Sequence, residues 1–195
     1  MRTLDQAFLD ALNRPSDISE HLETIRSHAA GYQHITEMGV RGGVSTWALL
    51  SARPKRLVCY DILPIDMSEH ARIAAEEHID FEFRQIDVIE ADIEETDCLL
   101  IDTWHTYSQL CAELQLHSPR VRNLGHIILH DTYTFGYIDE PAYPHASSSA
   151  LRWGKMSAKR GLRLALTEFV DSSPDWRIVL DHPHNNGLTI LRRSA

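Results

Sequence analysis

Nothing in this chain constrains its fold more than the run Glu37-Met38-Gly39-Val40-Arg41-Gly42-Gly43-Val44-Ser45-Thr46-Trp47. A short apolar segment, His34-Ile35-Thr36, leads into it, and a helix-like segment, Trp47-Ala48-Leu49-Leu50, leaves it. The order is strand, glycine turn, helix. Glycine has no side chain, so such a turn lets a ligand approach bare backbone. The helix beyond offers unpaired N–H groups and the positive end of its dipole, where a carboxylate or phosphate can settle. The spacing is not Gly-x-Gly-x-x-Gly, so the usual dinucleotide fingerprint is absent. Glu37, two residues before Gly39, would repel a phosphate and suits a cationic ligand.

The rest of the chain extends this pattern. Strand-like runs fall at 34–38, 56–60, 81–86, 98–101, 126–129, 177–180 and 188–191. Helix-like segments fall at 17–30, 46–52, 68–78, 106–116 and 161–170, the first with Asp17 and Glu20 as a capping box. Strands alternating with helices imply parallel pairing and right-handed crossovers. Cys98-Leu99-Leu100-Ile101 is apolar throughout, as expected of a strand buried on both faces. The last two runs are joined by His182-Pro183-His184-Asn185-Asn186-Gly187 with no helix between them, so an antiparallel hairpin is expected to close the sheet. The expected fold is α/β: a Rossmann-like seven-stranded sheet, mostly parallel, with helices on both faces.

A chain of 195 residues fits one domain, 1–195, with an N-terminal helical segment at 1–30. The stretch 133–158 is long and irregular, as substrate-facing loops are. No apolar run is long enough to span a bilayer, and no membrane partner is expected. A net charge of −9 disfavours nucleic acid, whose binding depends on Lys and Arg against phosphates. Lys155, Lys159, Arg160 and Arg163 read as a solvated helix face or a contact to one acidic substrate group. Cys59, Cys98 and Cys111 are three, without CxxC spacing, so a reducing cytoplasmic setting is the default. A homodimer is the base-rate expectation for assembly.

In an open α/β sheet, ligands bind beyond the carboxyl ends of the strands. Those ends carry Glu37, Asp61, Asp87, Asp102 and Asp131, a convergent rim of acids that strand cores do not need. Asp102-Thr103-Trp104-His105-Thr106-Tyr107 follows the fourth strand, and Leu129-His130-Asp131-Thr132 ends the fifth. His105 has the ordinary pKa of a general base. His21, His28, His70 and His78 lie on helix surfaces by pattern. Trp104, Tyr107, Tyr133, Phe135, Tyr137 and Tyr143 gather near the expected mouth, where aromatics suit a sugar ring or a planar small molecule.

Glu-x-Gly-x-x-x-Gly-x-Ser, together with Asp-x-x-His-x-Tyr and the terminal His-Asp-Thr, resembles class I S-adenosylmethionine-dependent methyltransferases. The resemblance is to the branch holding cephalosporin-hydroxylase-like proteins and macrolide-sugar O-methyltransferases. It implies S-adenosylmethionine as cofactor, held by Glu37, Gly39, Gly43, Ser45, Asp61, Asp87 and Asp102. Within it, Glu37 lies near the methionyl amino group, Asp61 takes the ribose hydroxyls, and Asp87 lies near adenine with Ile86 and Val88 flanking the base. It also implies Mg²⁺ or another divalent metal on Asp102, His130 and Asp131, although relatives carry an acid where this chain has His130. The implied reaction is O-methylation of a small molecule or sugar hydroxyl, with His105 and Asp102 as catalytic residues. Two other readings are a non-haem-iron oxygenase built on His105, His130 and an aspartate, and an S-adenosylmethionine-binding protein that has lost catalysis.

Overall fold

Neighbouring residues of the strand Thr96–Ile101 (β4) face opposite sides, and both sides are apolar. Cys98 and Leu100 enter one hydrophobic layer, Leu99 and Ile101 the other. A strand of this kind needs helices on both faces. The computed structural model, which describes residues 1–141 and 158–195, supplies them.

β4 lies in the middle of a seven-stranded sheet of order β3-β2-β1-β4-β5-β7-β6. The other strands are His34–Met38 (β1), Arg56–Asp61 (β2), Asp80–Gln85 (β3), Val121–His130 (β5), Trp176–His182 (β6) and Leu188–Arg193 (β7). β1 to β5 pair in parallel, β7 runs antiparallel to β5, and β6 pairs antiparallel with β7. The expected architecture and the antiparallel ending are both present. The alternation is less regular than the sequence suggests, because the connection from β3 to β4 carries no helix.

Helices Val44–Ser51 (α3) and Ser68–Glu76 (α4) pack into one layer with Leu57, Cys59, Cys98 and Leu100. Tyr107–His117 (α5) and Leu162–Ser172 (α6) cover the other face through Leu110, Leu114, Leu162 and Leu166. α3 is buried on nearly all sides, so it needs cover of its own. Leu4–Asn13 (α1) and Leu22–Ala29 (α2) provide it. α1 lies in the N-terminal segment expected to be helical, 1–30, although the helix itself was expected only at 17–30. Leu4, Ala7, Phe8 and Ala11 give it a buried stripe, and Thr3 with Gln6 forms its capping box. Burying Leu4 or Phe8 in this layer contributes roughly 2 kcal/mol each.

The helix expected at 17–30 begins later. Residues Ser19–His21 form a 3₁₀ turn before α2, and no side chain caps either element. Asp17 instead pairs with Arg41. His21 and His70 are buried, not on helix surfaces. Of the expected loop at 133–158, only 133–141 and 158 are described; Tyr143, His145 and Lys155 lie outside the described residues. No helix among the described residues is long and apolar enough to cross a membrane.

Candidate active site

The chain leaves β1 through α3 towards β2 and later crosses back to place β4 on the other side of β1. That reversal opens a crevice beyond the carboxyl ends of β1 and β4, where ligands of such sheets bind. A cleft lies there, and its walls include Gly39, Asp61, Asp87, Asp102, His105 and Asp131.

Gly39 holds the two halves together. Its φ is +83°, and a Cβ added there would lie 2.0 Å from the carbonyl oxygen of Asp102. Only glycine allows this approach. Gly43 starts α3 at φ +68°, and a Cβ there would meet the His70 ring at 2.6 Å. His70 Nε2 lies 3.0 Å from the Gly43 carbonyl, and its ring stacks on Trp47 at 3.7 Å. Gly43 is therefore a packing position beneath the cleft and does not line it.

Glu37 and Ser45 also differ from expectation. The Glu37 carboxylate is fully buried and accepts bonds from Ser45 Oγ (2.6 Å), Thr46 Oγ1 (2.7 Å) and Cys59 Sγ (3.0 Å). Burial, only partly offset by these bonds, lifts its pKa to about 7. With both oxygens turned inward, Glu37 ties the end of β1 to the start of α3 and offers nothing to a methionyl amino group. Ser45 is one of its partners and lies under the turn as well.

Asp61 does line the cleft, but it also braces the glycine turn. Its Oδ2 accepts from the Val40 and Arg41 amides at 2.8 and 3.0 Å, and its Oδ1 accepts from Leu63 N at 2.8 Å. A carboxylate takes about four hydrogen bonds, so these three leave one acceptor position. Asp87 Oδ1 accepts from Ile89 N at 3.0 Å, while its Oδ2 is buried without a partner. An orphaned buried oxygen in a cleft wall is poised for a ligand donor. Apolar walls near these acids come from Ile62, Leu63 and Val88, and not from Ile86, which is outside the lining.

The acids after β4 and β5 converge on one imidazole. His105 Nε2 lies 3.2 Å from Asp102 Oδ1 and 3.1 Å from Asp131 Oδ2. Its Nδ1 lies 3.0 Å from Glu140 Oε2, and Phe135 stacks on the ring at 5.1 Å. Burial alone would lower the His105 pKa, but the bonds to Asp102 and Glu140 outweigh it and lift the pKa to about 10. Burial likewise works against an ionised Asp102, yet His105 and His130 hold its carboxyl well below the usual range. The surrounding carboxylates thus favour the protonated ring in this arrangement. Asp131 sits at φ +60°, a strained position for a residue other than glycine. Its Oδ1 is buried and unpaired, and burial raises its pKa.

His130 stands at the edge of this cluster, its Nδ1 3.6 Å from Asp131 Oδ2. Its Nε2 lies 2.9 Å from the Asp17 carbonyl and its Nδ1 3.1 Å from Asp102 Oδ1. Its Nδ1 therefore faces both carboxylates of the expected ligand set of Asp102, His130 and Asp131, but His130 is not in the group whose ligand atoms all lie within 4.8 Å of one another. Among the described residues, the atoms that do gather within 4.8 Å belong to Asp102, His105 and Asp131. One imidazole and two carboxylates suit a divalent transition ion, and Glu140 on the far ring nitrogen is the usual orienting partner of a metal-bound histidine. The unpaired Asp131 oxygen fits the same role. His105 Nε2 and His130 Nδ1 both approach Asp102 Oδ1, at 3.2 and 3.1 Å, so two histidines and a carboxylate do meet here; the glycine turn and Asp61, which have no part in an oxygenase, keep that reading second.

Asp17, Arg41, Gln109 and Glu140 also line the cleft and were missed as site residues. Asp17 and Glu140 arrive from loops far away in sequence, with no motif to announce them. Gln109 shares the first turn of α5 with Tyr107, and its spacing from His105 (i, i+4) was the available signal. Of the aromatics expected at the mouth, Trp104 lines the cleft. Tyr107 bonds Glu168, and Tyr133 lies beneath Arg163. Lys159, Arg160 and Arg163 pair with Glu168, Asp139 and Asp181, so none reads as a free contact for an acidic substrate.

Residues 36–132, which run from β1 to just past β5, match a family model described as a methyltransferase domain. No curated protein matches the sequence. Solved structures share the fold at low identity. The O-methyltransferase from Bacillus cereus, in complex with S-adenosylhomocysteine, has 16% identity, covers 98% of this chain and 90% of its own, and gives a TM-score of 0.60. The 1,6-didemethyltoxoflavin-N1-methyltransferase from Burkholderia thailandensis has 13% identity, with coverage of 92% and 79% and a TM-score of 0.61. The N-methyltransferase NodS from Bradyrhizobium japonicum WM9 has 14% identity, with coverage of 90% and 94% and a TM-score of 0.58. With that domain laid over the switch-point cleft, the chain belongs to the class I S-adenosylmethionine-dependent methyltransferases.

Proposed function

We propose that this methyltransferase transfers the methyl group of S-adenosylmethionine to a hydroxyl of a small molecule or sugar, assisted by a divalent metal. The observation that carries the reading is the convergence of Asp102, His105 and Asp131 on one point of the cleft wall. The O-methyltransferase among the structures of the same fold agrees with it.

The cofactor half of the cleft is the side of Gly39, Asp61, Asp87 and Val88. The glycine turn lets the amino-acid end approach bare backbone, Asp61 has one acceptor position for a ribose hydroxyl, and Asp87 Oδ2 awaits the adenine amino group. The acidic rim suits a sulfonium, and Asp102 remains ionised there at neutral pH. The reaction half is the side of Trp104, His105, Asp131 and Glu140.

Methyl transfer to oxygen is an in-line displacement, so alignment supplies much of the acceleration. It also needs the acceptor proton removed. A divalent ion held by Asp102, His105 and Asp131 supplies Lewis acidity, which lowers the pKa of a bound hydroxyl. Glu140 would hold the proton on His105 Nδ1, so that an ion displacing the Nε2 contacts to Asp102 and Asp131 would meet a lone pair there. With its pKa lowered by the ion, the acceptor hydroxyl would give up its proton to solvent. Trp104 offers a flat apolar wall for an acceptor ring. The three cysteines are all free thiols, which supports a reducing cytoplasmic setting.

The test is transfer of labelled methyl from S-adenosylmethionine to a panel of hydroxylated sugars and phenols, with and without a chelator. Transfer to a hydroxyl that falls with chelation and returns with Mg²⁺ or Mn²⁺ is expected. Transfer that ignores chelation overturns the metal, and transfer to amines alone overturns the acceptor class.

A further inference from the structure

A second group of histidines lies behind the site, where the N-terminal segment meets the β6–β7 turn. His21 is wholly buried. Its Nε2 lies 2.9 Å from the His184 carbonyl and 3.1 Å from the Asn185 carbonyl. Carbonyls only accept, so Nε2 carries the proton, and the lone pair resides on Nδ1. That Nδ1 is buried and has no partner. Burial also lowers the His21 pKa and keeps the ring neutral.

Two further imidazoles face it. The His184 ring centre is 4.7 Å from that of His21, the His182 centre is 6.3 Å away, and these two are 5.1 Å apart. Among the described residues neither the His182 nor the His184 side chain makes a hydrogen bond. Three imidazoles on one tetrahedral ion, with nitrogens ~2.0 Å from the metal, hold their ring centres roughly 5 Å apart. The observed triangle is close to that. A buried imidazole that donates one N–H to backbone carbonyls and leaves the other nitrogen bare is how a metal-bound histidine is oriented. His130 is a fourth ring, 5.9 Å from His21, but both of its nitrogens are committed.

The geometry points to a transition-metal site at His21, His182 and His184, of the kind that takes Zn²⁺, Co²⁺ or Ni²⁺, separate from the cleft cluster. Three neutral imidazoles select such ions over Mg²⁺. The rings are gathered, while their nitrogens are not yet within coordination distance of one another. The proposed site requires the His182 and His184 side chains to rotate so that a nitrogen of each reaches His21 Nδ1. His184 is exposed and gives the ion its entry. The site would staple the segment that carries Asp17 to the terminal hairpin, which Asn185 already ties to Ser16 and Glu20 by hydrogen bonds of 3.0 and 3.3 Å. It does not depend on the methyl-transfer reading.

Zinc titration by calorimetry tests it, on the wild type, Asp131→Asn and the triple variant Asp131→Asn/His182→Gln/His184→Gln. Melting temperature with and without Zn²⁺ gives a second readout. Asp131→Asn is expected to keep a zinc site and a zinc-dependent rise in melting temperature. Adding His182→Gln and His184→Gln to Asp131→Asn is expected to weaken that remaining site at least tenfold and to abolish the rise, with melting in the absence of metal as in Asp131→Asn alone. Loss of all zinc binding in Asp131→Asn, or unchanged zinc binding in the triple variant, overturns the proposal.

Discussion

Asp131 Oδ2 lies 3.1 Å from Nε2 of His105, presented by a backbone at φ +60°. Aspartate tolerates that left-handed conformation better than most residues, but not freely. Its neighbour His130 bridges from Asp102 Oδ1 to the Asp17 carbonyl. The strand end thus divides two adjacent polar side chains between the cleft and the N-terminal segment.

Replacing Asp131 by asparagine keeps the shape and removes the charge. Affinity of the cleft for Mn²⁺ is expected to fall roughly 100-fold. Binding of S-adenosylhomocysteine, which relies on the opposite half of the cleft, is expected to change little. Calorimetry on the variant with each ligand separately checks both statements.

Glu140→Gln acts one step further out. The carboxylate on His105 Nδ1 raises the basicity of the ring, and the neutral amide does so less. Metal affinity is expected to drop by about 10-fold to 100-fold. The His105 pKa, followed by NMR in metal-free protein, is expected to fall from about 10. An unchanged pKa would remove Glu140 from its assigned role.

Gly39→Ala is expected to destabilise the fold by more than ~2 kcal/mol, since it combines a positive φ with a backbone clash. Its Cβ would sit 2.0 Å from the Asp102 carbonyl oxygen, which has no room to retreat within the sheet. Urea unfolding measures the loss. A shift below 1 kcal/mol would show that the β1 and β4 ends separate more easily than the structure implies.

Glu37 and Glu113 make stability fall as pH rises. Burial lifts both carboxyls to about 7, in each case partly offset by hydrogen bonds. An unfolded glutamate titrates near ~4.3. Between about pH 4.5 and 7 the folded chain therefore holds more protons than the unfolded one, and ionising these groups costs stability. The contribution is full below that window and is lost as pH rises through 7. Two such groups give a slope of up to roughly 2.7 kcal/mol per pH unit. Glu37→Gln is expected to remove about half of it, as read from urea midpoints at pH 5, 6, 7 and 8.

Much of this architecture is legible in the sequence because its signals are local. Apolar runs such as Cys98–Ile101 announce buried strands, and Gly39 announces a close approach. The acids at the ends of β2 to β5 follow from the same reasoning, and Asp61, Asp87, Asp102 and Asp131 all reach the cleft. Direction was harder. Nothing in Leu129-His130-Asp131 says which of the two polar residues turns inward, because that depends on a positive φ and on an Asp17 carbonyl 113 residues away. Glu37 looked like a ligand because the pattern cannot show that Ser45, Thr46 and Cys59 hold both of its oxygens inside the core. The stripe of α1, Leu4, Ala7, Phe8 and Ala11, is present in the sequence, but a single ten-residue helix carries too few apolar positions to stand out on its own.

The central claim is that the switch-point cleft holds S-adenosylmethionine. Calorimetric titration of S-adenosylhomocysteine into the wild type and Asp87→Ala tests it most directly. Micromolar binding, weakened at least tenfold when the unpaired Asp87 oxygen is removed, is the expected result. Absence of binding, or equal affinity in both proteins, would contradict the assignment of the cleft.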